Sequence, residues 1–175
     1  MKNLKPGTTD FPWPTIEFSA LRASGFMRQC KGIAYGYGSK APFHGAVPHK
    51  DFTSIDCSGF VREMLWVATP ADKRIDIVDG SFNQHRQIRE AGFKVSSPDS
   101  AKARDGVLRI AFLNPEDGTN GVGHVALVLN GQTYESCGGF GVCRRTWTGK
   151  RWQAKCHVYV LDNMAAYALN PEIKG

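Results

Sequence analysis

Several features that define large classes of protein are missing from this chain. No apolar run approaches the ~18 residues that a membrane-spanning helix needs, and the sequence has neither an internal repeat nor a low-complexity segment. Charged residues make up only 22% of it, too few for a disordered tail. These absences exclude collagen, coiled coils, disordered tails and integral membrane proteins. The length and the 42% of apolar residues favour a single domain over residues 1–175.

No secretory signal is visible, because Lys2 and Lys5 are followed by no apolar stretch. The net charge of +6 suits an anionic partner, such as a cell wall, a nucleic acid or a membrane surface. The basic residues are spread along the chain, without the clustered stripe and interleaved aromatic residues of a nucleic-acid binder. We therefore expect no nucleic-acid partner.

The cysteines include no C-x-x-C pair, and an odd number leaves at least one unpaired. The five are Cys30, Cys57, Cys137, Cys143 and Cys156. A zinc site from the last three and His157 is one interpretation, but its spacing fits no common zinc knuckle, so we expect no metal and no other cofactor. Otherwise these three are small buried residues on strands, or two of them form one disulfide.

The first half of the chain predicts helices. Residues 1–14 suggest an extended arm, residues 14–30 carry a loose helical stripe, and residues 32–55 form a Gly- and Pro-rich loop. Loops of that length are often functional.

Two further helices have start signals. One begins at Cys57 with Asp56 as its N-cap. The other covers residues 81–91 and opens with a predicted capping box of Ser81 and Gln84.

The second half predicts short strands over 107–113, 124–129, 132–136, 141–147 and 155–161. The pair Asn130-Gly131 is a strong signal for a two-residue hairpin turn. Helices followed by strands predict an α+β fold with an antiparallel sheet. The tail, 162–175, is expected to form one short helix.

The segment D-C-S-G-F-V, residues 56–61, places Cys57 where a loop enters a helix. Free backbone N–H groups and the helix dipole at such a point stabilise a thiolate, the form of cysteine that acts as a nucleophile. The same N–H groups can serve as an oxyanion hole. Asp56, Ser58 and Gly59 are predicted to contact the substrate, Gly59 by leaving room for its backbone. The competing interpretation is a buried cysteine that begins an ordinary helix.

A nucleophilic cysteine needs a base, and five histidines are available. His124 follows a flexible Gly-Val-Gly segment and opens an apolar strand, which would hold its ring rigidly. His44 and His49 lie in the long loop and could line a cleft, His85 falls on a helix face, and His157 lies within a strand. His124 is therefore the predicted base.

Two motifs in the chain resemble those of a known enzyme family. D-C-S-G-F-V opening a helix (56–61), followed by G-H-V-A-L-V-L-N-G opening a hairpin (123–131), resembles the NlpC-type cell-wall cysteine peptidases, which have a papain-like core. The Y-G-Y-G stretch at 35–38 is similar to the Tyr-x-Trp-Gly-Gly of that family, and D-G-V-L at 105–108 stands where the family has Pro-Gly-Asp-Leu. The resemblance extends over residues 30–140.

This resemblance implies hydrolysis of a peptide bond in the peptidoglycan stem, commonly the γ-D-glutamyl to diamino-acid link. It makes Cys57 the nucleophile and His124 the base, and it places Tyr35 beside the thiol, where it helps to orient the substrate. Acyltransferase relatives with a permuted core have the histidine before the cysteine, so the order seen here favours the hydrolase.

A third residue should orient His124 from the strand after the Asn-Gly turn. The family uses His, Asn or Gln there, whereas this chain has Glu135 and Ser136 near that position. Counting along the family pattern reaches Ser136, which is otherwise predicted to contact substrate. Chemistry favours Glu135, because a carboxylate fixes the tautomer and stabilises the imidazolium. A backbone carbonyl or a water molecule is the alternative.

In its short length, its positive charge and its two motifs, the chain also resembles amidase effectors of type VI secretion and phage-encoded wall hydrolases. We therefore expect a monomeric enzyme that acts on the cell wall or in the periplasm, with an immunity protein as a further partner if the chain is an effector. The alternative is a non-catalytic module that binds a wall peptide on the same fold.

Overall fold

The computed structural model of the chain describes residues 14–118 and 120–163. The predicted extended arm lies outside this part except for Pro14. The predicted C-terminal helix also lies outside it, except for Asp162 and Asn163, which end a strand instead. Within the described ranges no helix is both long and apolar enough to cross a membrane.

Three α-helices form in the segments where the sequence predicts them: α1 (Ala20–Gln29), α2 (Cys57–Ala68) and α3 (Ser81–Glu90). The predicted start of α1 near Pro14 is wrong, because Ser19 caps the helix through its hydroxyl, which accepts from the Arg22 N–H. Asp56 is the N-cap of α2, as predicted, and its carboxylate accepts a hydrogen bond of 2.7 Å from the N–H of Gly59.

The predicted capping box of α3 is wrong. Gly80, with φ 82°, occupies the N-cap position and Ser81 is already helical. Gln84 turns into the core, where its amide donates to the carbonyls of Ser58 and Val78. A buried amide needs hydrogen-bond partners, and these two carbonyls supply them.

The strands are β1 (Ala34–Tyr35), β2 (Ser54–Ile55), β3 (Lys94–Ser96), β4 (Val107–Leu113), β5 (His124–Leu129), β6 (Gln132–Cys137), β7 (Gly141–Cys143) and β8 (His157–Asn163). The last six form one antiparallel sheet in the order β3-β8-β4-β5-β6-β7, while β1 and β2 pair in parallel inside the long loop. The described part is thus α+β with an antiparallel sheet, as predicted. The sequence does not predict β1, β2 or β3, which are only two or three residues long.

The hairpin between β5 and β6 turns at Asn130 and Gly131, as predicted. Both residues have positive φ, 51° and 70°, which is the conformation of a type I′ turn that matches the twist of the flanking strands. This turn fixes the register in which β6 runs back beside β5.

The two faces of the large sheet are buried differently because side chains alternate along each strand. One face packs on α1 and α2 in the larger core, which includes Phe26, Phe60 and Leu127. The opposite face carries a smaller cluster with Val128 and Trp147. The short 3₁₀ turn Arg151–Lys155 brings Trp152 against that smaller cluster.

The edge strand β7 is joined to the long loop by a close backbone contact. Val142 donates its N–H to the carbonyl of Ile33 over 3.0 Å. Gly141 has φ 65°, and a Cβ on it would lie 2.3 Å from the same carbonyl oxygen. Only glycine fits there without a shift of the backbone.

We therefore expect Gly141→Ala to lower the free energy of unfolding by about 2 kcal/mol or more, since it combines positive φ with a backbone clash. Gly138→Ala is the matched control, because nothing lies within 4 Å of its Cβ position. Urea unfolding followed by circular dichroism measures both variants. Equal stability of the two would contradict this account of the contact.

Candidate active site

Cys57 is the first residue of α2 and is 6% exposed. Asp56 stabilises this helix start through both oxygens of its carboxylate. One accepts from the Gly59 N–H at 2.7 Å and from the Ser58 hydroxyl at 3.0 Å, and the other accepts from the Lys40 ammonium. The cap fixes the direction in which the chain enters the helix, and with it the position of the Cys57 sulfur.

Ser58 and Gly59, both predicted to contact substrate, have internal partners. The Ser58 hydroxyl accepts from Lys40 at 2.7 Å and is buried. A Cβ on Gly59 would lie 2.9 Å from the Cδ of Lys40 and 3.1 Å from the side chain of Ile55. Both residues thus pack the helix start against the long loop, and their contact with substrate, like that of Asp56, stays a prediction.

His124 begins β5 and is half-buried. Its Nε2 donates to the Glu135 carboxylate at 2.7 Å. The Cys57 sulfur lies close enough to the ring to raise its pKa. Since Glu135 uses Nε2, Nδ1 is the nitrogen left for an interaction with Cys57. The edge of Trp152 lies against the imidazole, with 5.0 Å between ring centroids.

Glu135 is 0% exposed and all of its partners are donors. Besides His124, the hydroxyl of Thr133 donates at 2.7 Å, and Arg145 donates through Nε at 2.9 Å and Nη2 at 3.0 Å. Burial opposes ionisation, but the hydrogen bonds from His124 and Arg145 outweigh it and lower the pKa of Glu135 to about 2. The carboxylate therefore stays charged at neutral pH.

The imidazole of His124 is held in its charged form. Burial disfavours that form, but the hydrogen bonds and the negative charges of Cys57 and Glu135 outweigh burial and raise the pKa of His124 to about 9. At neutral pH the ring is thus an imidazolium between a carboxylate and the cysteine sulfur.

Arg145 is a site residue that the sequence analysis missed. It lies opposite Thr133, whose N–H donates to the Arg145 carbonyl at 2.8 Å. This pair continues the register in which Glu135 lies opposite Cys143. Cross-strand bonding thus continues past β7 along the predicted strand 141–147. A buried glutamate on a predicted strand requires a cationic partner, and that next strand carries Arg144 and Arg145. Only the register shows which arginine shares the face of Glu135.

Ser136 and Tyr35, two further residues predicted for the site, both lie near Cys57 or the segment that leads into it. The Ser136 hydroxyl is buried and donates to the carbonyl of Ile55 at 2.7 Å, so it ties β6 to the segment that leads into Cys57. Tyr35 is half-buried on β1. Burial, followed by the negative charges of Cys57 and Asp56, raises its pKa to about 12, which keeps the phenol neutral near the thiol.

The other histidines are engaged elsewhere. His44 donates from Nδ1 to the buried Glu63 at 2.8 Å and stacks on Trp66 with 4.1 Å between ring centroids. His49 bonds the carbonyl of Lys31 at 2.9 Å. His85 is buried, bonds Asn114 and Tyr159, and lies 4.8 Å from the ring of His157.

The zinc site considered from the sequence is not assembled in the described residues. Cys137 and Cys143 are adjacent, but the Cys156 sulfur donates to the carbonyl of Trp152, and His157 lies beside His85. The group with metal-ligand spacing is instead Glu135, Cys137 and Cys143, whose ligand atoms lie within 4.8 Å of one another. Both carboxylate oxygens of Glu135 are already hydrogen-bonded to the residues described above.

Neither a model of a known protein family nor the sequence of a curated protein matches this chain. The function must therefore be argued from the geometry of the site.

The charge state of His124 can be measured directly. We expect its imidazole to titrate with a pKa of about 9 in the native chain and at lower pH in Cys57→Ala and in Glu135→Gln, because each change removes a hydrogen bond and a negative charge. Histidine ring NMR across a pH series measures this, with Cys30→Ala as the matched control. An unchanged pKa in Cys57→Ala would show that the sulfur and the ring do not interact.

Proposed function

We propose that the chain is a cysteine hydrolase that cleaves a peptide or amide bond through an acyl-enzyme. The observation that carries the proposal is the position of His124, whose ring bonds Glu135 through Nε2 and lies near the Cys57 sulfur, which raises its pKa. A thiol at a helix start, an imidazole and a carboxylate in this order are the parts that acyl transfer by cysteine requires.

In the first step the Cys57 thiolate attacks the carbonyl carbon of the scissile bond. The N–H groups of Gly59 and Phe60 are taken by Asp56. The N–H groups of Cys57 and Ser58, the first two of the helix, are therefore the donors that would stabilise the oxyanion. As the tetrahedral intermediate collapses, the C–N bond breaks and His124 gives its Nδ1 proton to the leaving amine.

The thioester left on Cys57 is then hydrolysed. Neutral His124 takes a proton from water, the resulting hydroxide attacks the acyl carbon, and the thiolate leaves as the imidazolium is restored. Glu135 remains ionised throughout, because its hydrogen bonds hold its pKa far below neutral. Its part is to fix the tautomer and stabilise the charged ring.

The substrate class is proposed from the family resemblance. A cysteine at a helix start and a histidine at the start of a strand in an antiparallel sheet are consistent with what the resemblance to NlpC-type wall peptidases implies. The net charge of +6 suits an anionic cell wall. We therefore assign a stem peptide of peptidoglycan as the substrate, with the γ-D-glutamyl to diamino-acid bond as the first one to test. The site of action would be the cell wall or the periplasm, and the enzyme would act as a monomer, with an immunity protein as its partner if it is a secreted effector.

Cys57→Ala should abolish release of free amine from purified wall peptides while the fold remains intact. Cys30→Ala, a change of another buried cysteine at the end of α1, is the matched control and should keep turnover. Amine quantification with mass spectrometry of the fragments identifies the bond that is cut. Turnover by folded Cys57→Ala would refute the nucleophile, whereas binding without release by the native chain would favour the peptide-binding module.

The neighbouring arginines provide a second test. Arg145→Ala should slow turnover by about 10-fold, a fraction of the ~10²–10⁴-fold that acid–base catalysis contributes. The acid limb of the pH–rate profile should move to higher pH, because loss of the guanidinium raises the pKa of Glu135. Arg144→Ala is the control, since Arg144 lies over the ring of Tyr134 instead. Equal profiles for the two variants would remove Arg145 from the site.

A further inference from the structure

Two thiols that the proposed hydrolysis does not use lie side by side at the end of the sheet. Cys137 ends β6 and Cys143 ends β7, and their sulfur atoms are 3.5 Å apart. Glu135 pairs with Cys143, and Cys137 pairs with Gly141, so the two cysteines are diagonal neighbours on one face. The sulfurs need to approach by about 1.5 Å to reach the ~2.05 Å of a disulfide bond.

We infer that Cys137 and Cys143 form a reversible disulfide that joins β6 to β7 beside Glu135. The other three cysteines are placed differently. Cys57 faces His124, Cys30 is fully buried at the end of α1, and Cys156 bonds the carbonyl of Trp152. This modification is independent of the proposed hydrolase activity.

The turn that joins the two strands permits the required movement. Nothing lies within 4 Å of a Cβ position on Gly138 or Gly139, whereas the exposed ring of Phe140 lies under Arg145. The two glycines can shift by the small distance that the sulfurs must move, while Gly141 and Val142 stay held against Ile33 and keep the register around Glu135.

The chemistry balances with a small disulfide, such as oxidised glutathione, as the oxidant. The more accessible Cys143 attacks it, forms a mixed disulfide and releases one small thiol. Cys137 then attacks the Cys143 sulfur and releases the second small thiol. Two protein thiols give up two electrons and two protons, and the oxidant leaves as two thiols. Burial, together with the charge of Glu135, raises the pKa of Cys137 to about 12, so this second step should quicken as pH rises.

A metal ion on the same atoms is the competing occupant. Its third ligand would be Glu135, whose two oxygens already accept hydrogen bonds from His124, Thr133 and Arg145. Metal binding would break that network, whereas a disulfide leaves it in place. The geometry therefore favours the covalent bond.

The sequence makes the test direct, because trypsin releases both cysteines in the single peptide 110–144, which contains no other cysteine. The full chain is treated with oxidised glutathione, denatured, alkylated and digested. We expect this peptide to be two hydrogens lighter than its reduced form and to carry no label, and to take two labels when reduction precedes alkylation.

Oxidation should also raise the Tm by about 4–8 °C, the shift expected for closing the loop 137–143 in a chain of this size. Cys137→Ser and Cys143→Ser should each abolish the rise, while Cys30→Ser and Cys156→Ser, as matched controls, should keep it.

Three results would overturn the inference: full alkylation of both sulfurs after oxidation, a disulfide bond from either sulfur to another peptide, or stoichiometric zinc binding that blocks closure. None of these readouts depends on catalysis, so failure here is distinct from failure of the hydrolase proposal.

Discussion

Burial of a carboxylate lowers the stability of the fold unless both of its oxygens accept hydrogen bonds. Glu135 meets that condition with donors from three other residues. Two of these donors, His124 and Arg145, belong to the segments on either side of β6. The buried charge thus fixes the position of the imidazole and of the strand that carries the arginine. Loss of any partner would leave part of that charge uncompensated, so the site is stable only as a whole.

The strict alternation of side chains along β6 gives that strand two separate tasks. Glu135 points to the face that carries His124, while Ser136 points to the opposite side and bonds the carbonyl of Ile55, two residues before Cys57. One strand therefore positions both Cys57 and His124. A shift of its register by one residue would exchange the two faces and separate the groups.

Features set by neighbouring residues were predicted from the sequence. Asp56 as a cap, the strands β4 and β5, and the Asn-Gly turn each depend on a few consecutive side chains, and the structure has all of them. The proximity of Glu135 to His124 was predicted because a two-residue hairpin leaves few choices of register. Its catalytic role stays a prediction.

Features set by distant contacts were missed or predicted wrongly. Gln84 looked like part of a capping box, but burial against Ser58 decides its hydrogen bonds. Arg145 was missed because the loop before it does not specify how the next strand aligns with β6. The short strand β3 exists through its pairing with β8, near the end of the described chain, which local propensity does not show.

The long loop before Cys57 is fastened to the helix that this residue begins. The buried carboxylate of Glu63, within α2, accepts from the His44 ring at 2.8 Å and from the backbone of Gly45 at 3.0 Å, and His44 stacks on Trp66 of the same helix. This part of the long loop and Cys57 therefore share one rigid support. The entropy of ordering the loop is lost when the chain folds, so a molecule that reaches Cys57 meets a loop segment that is already in place.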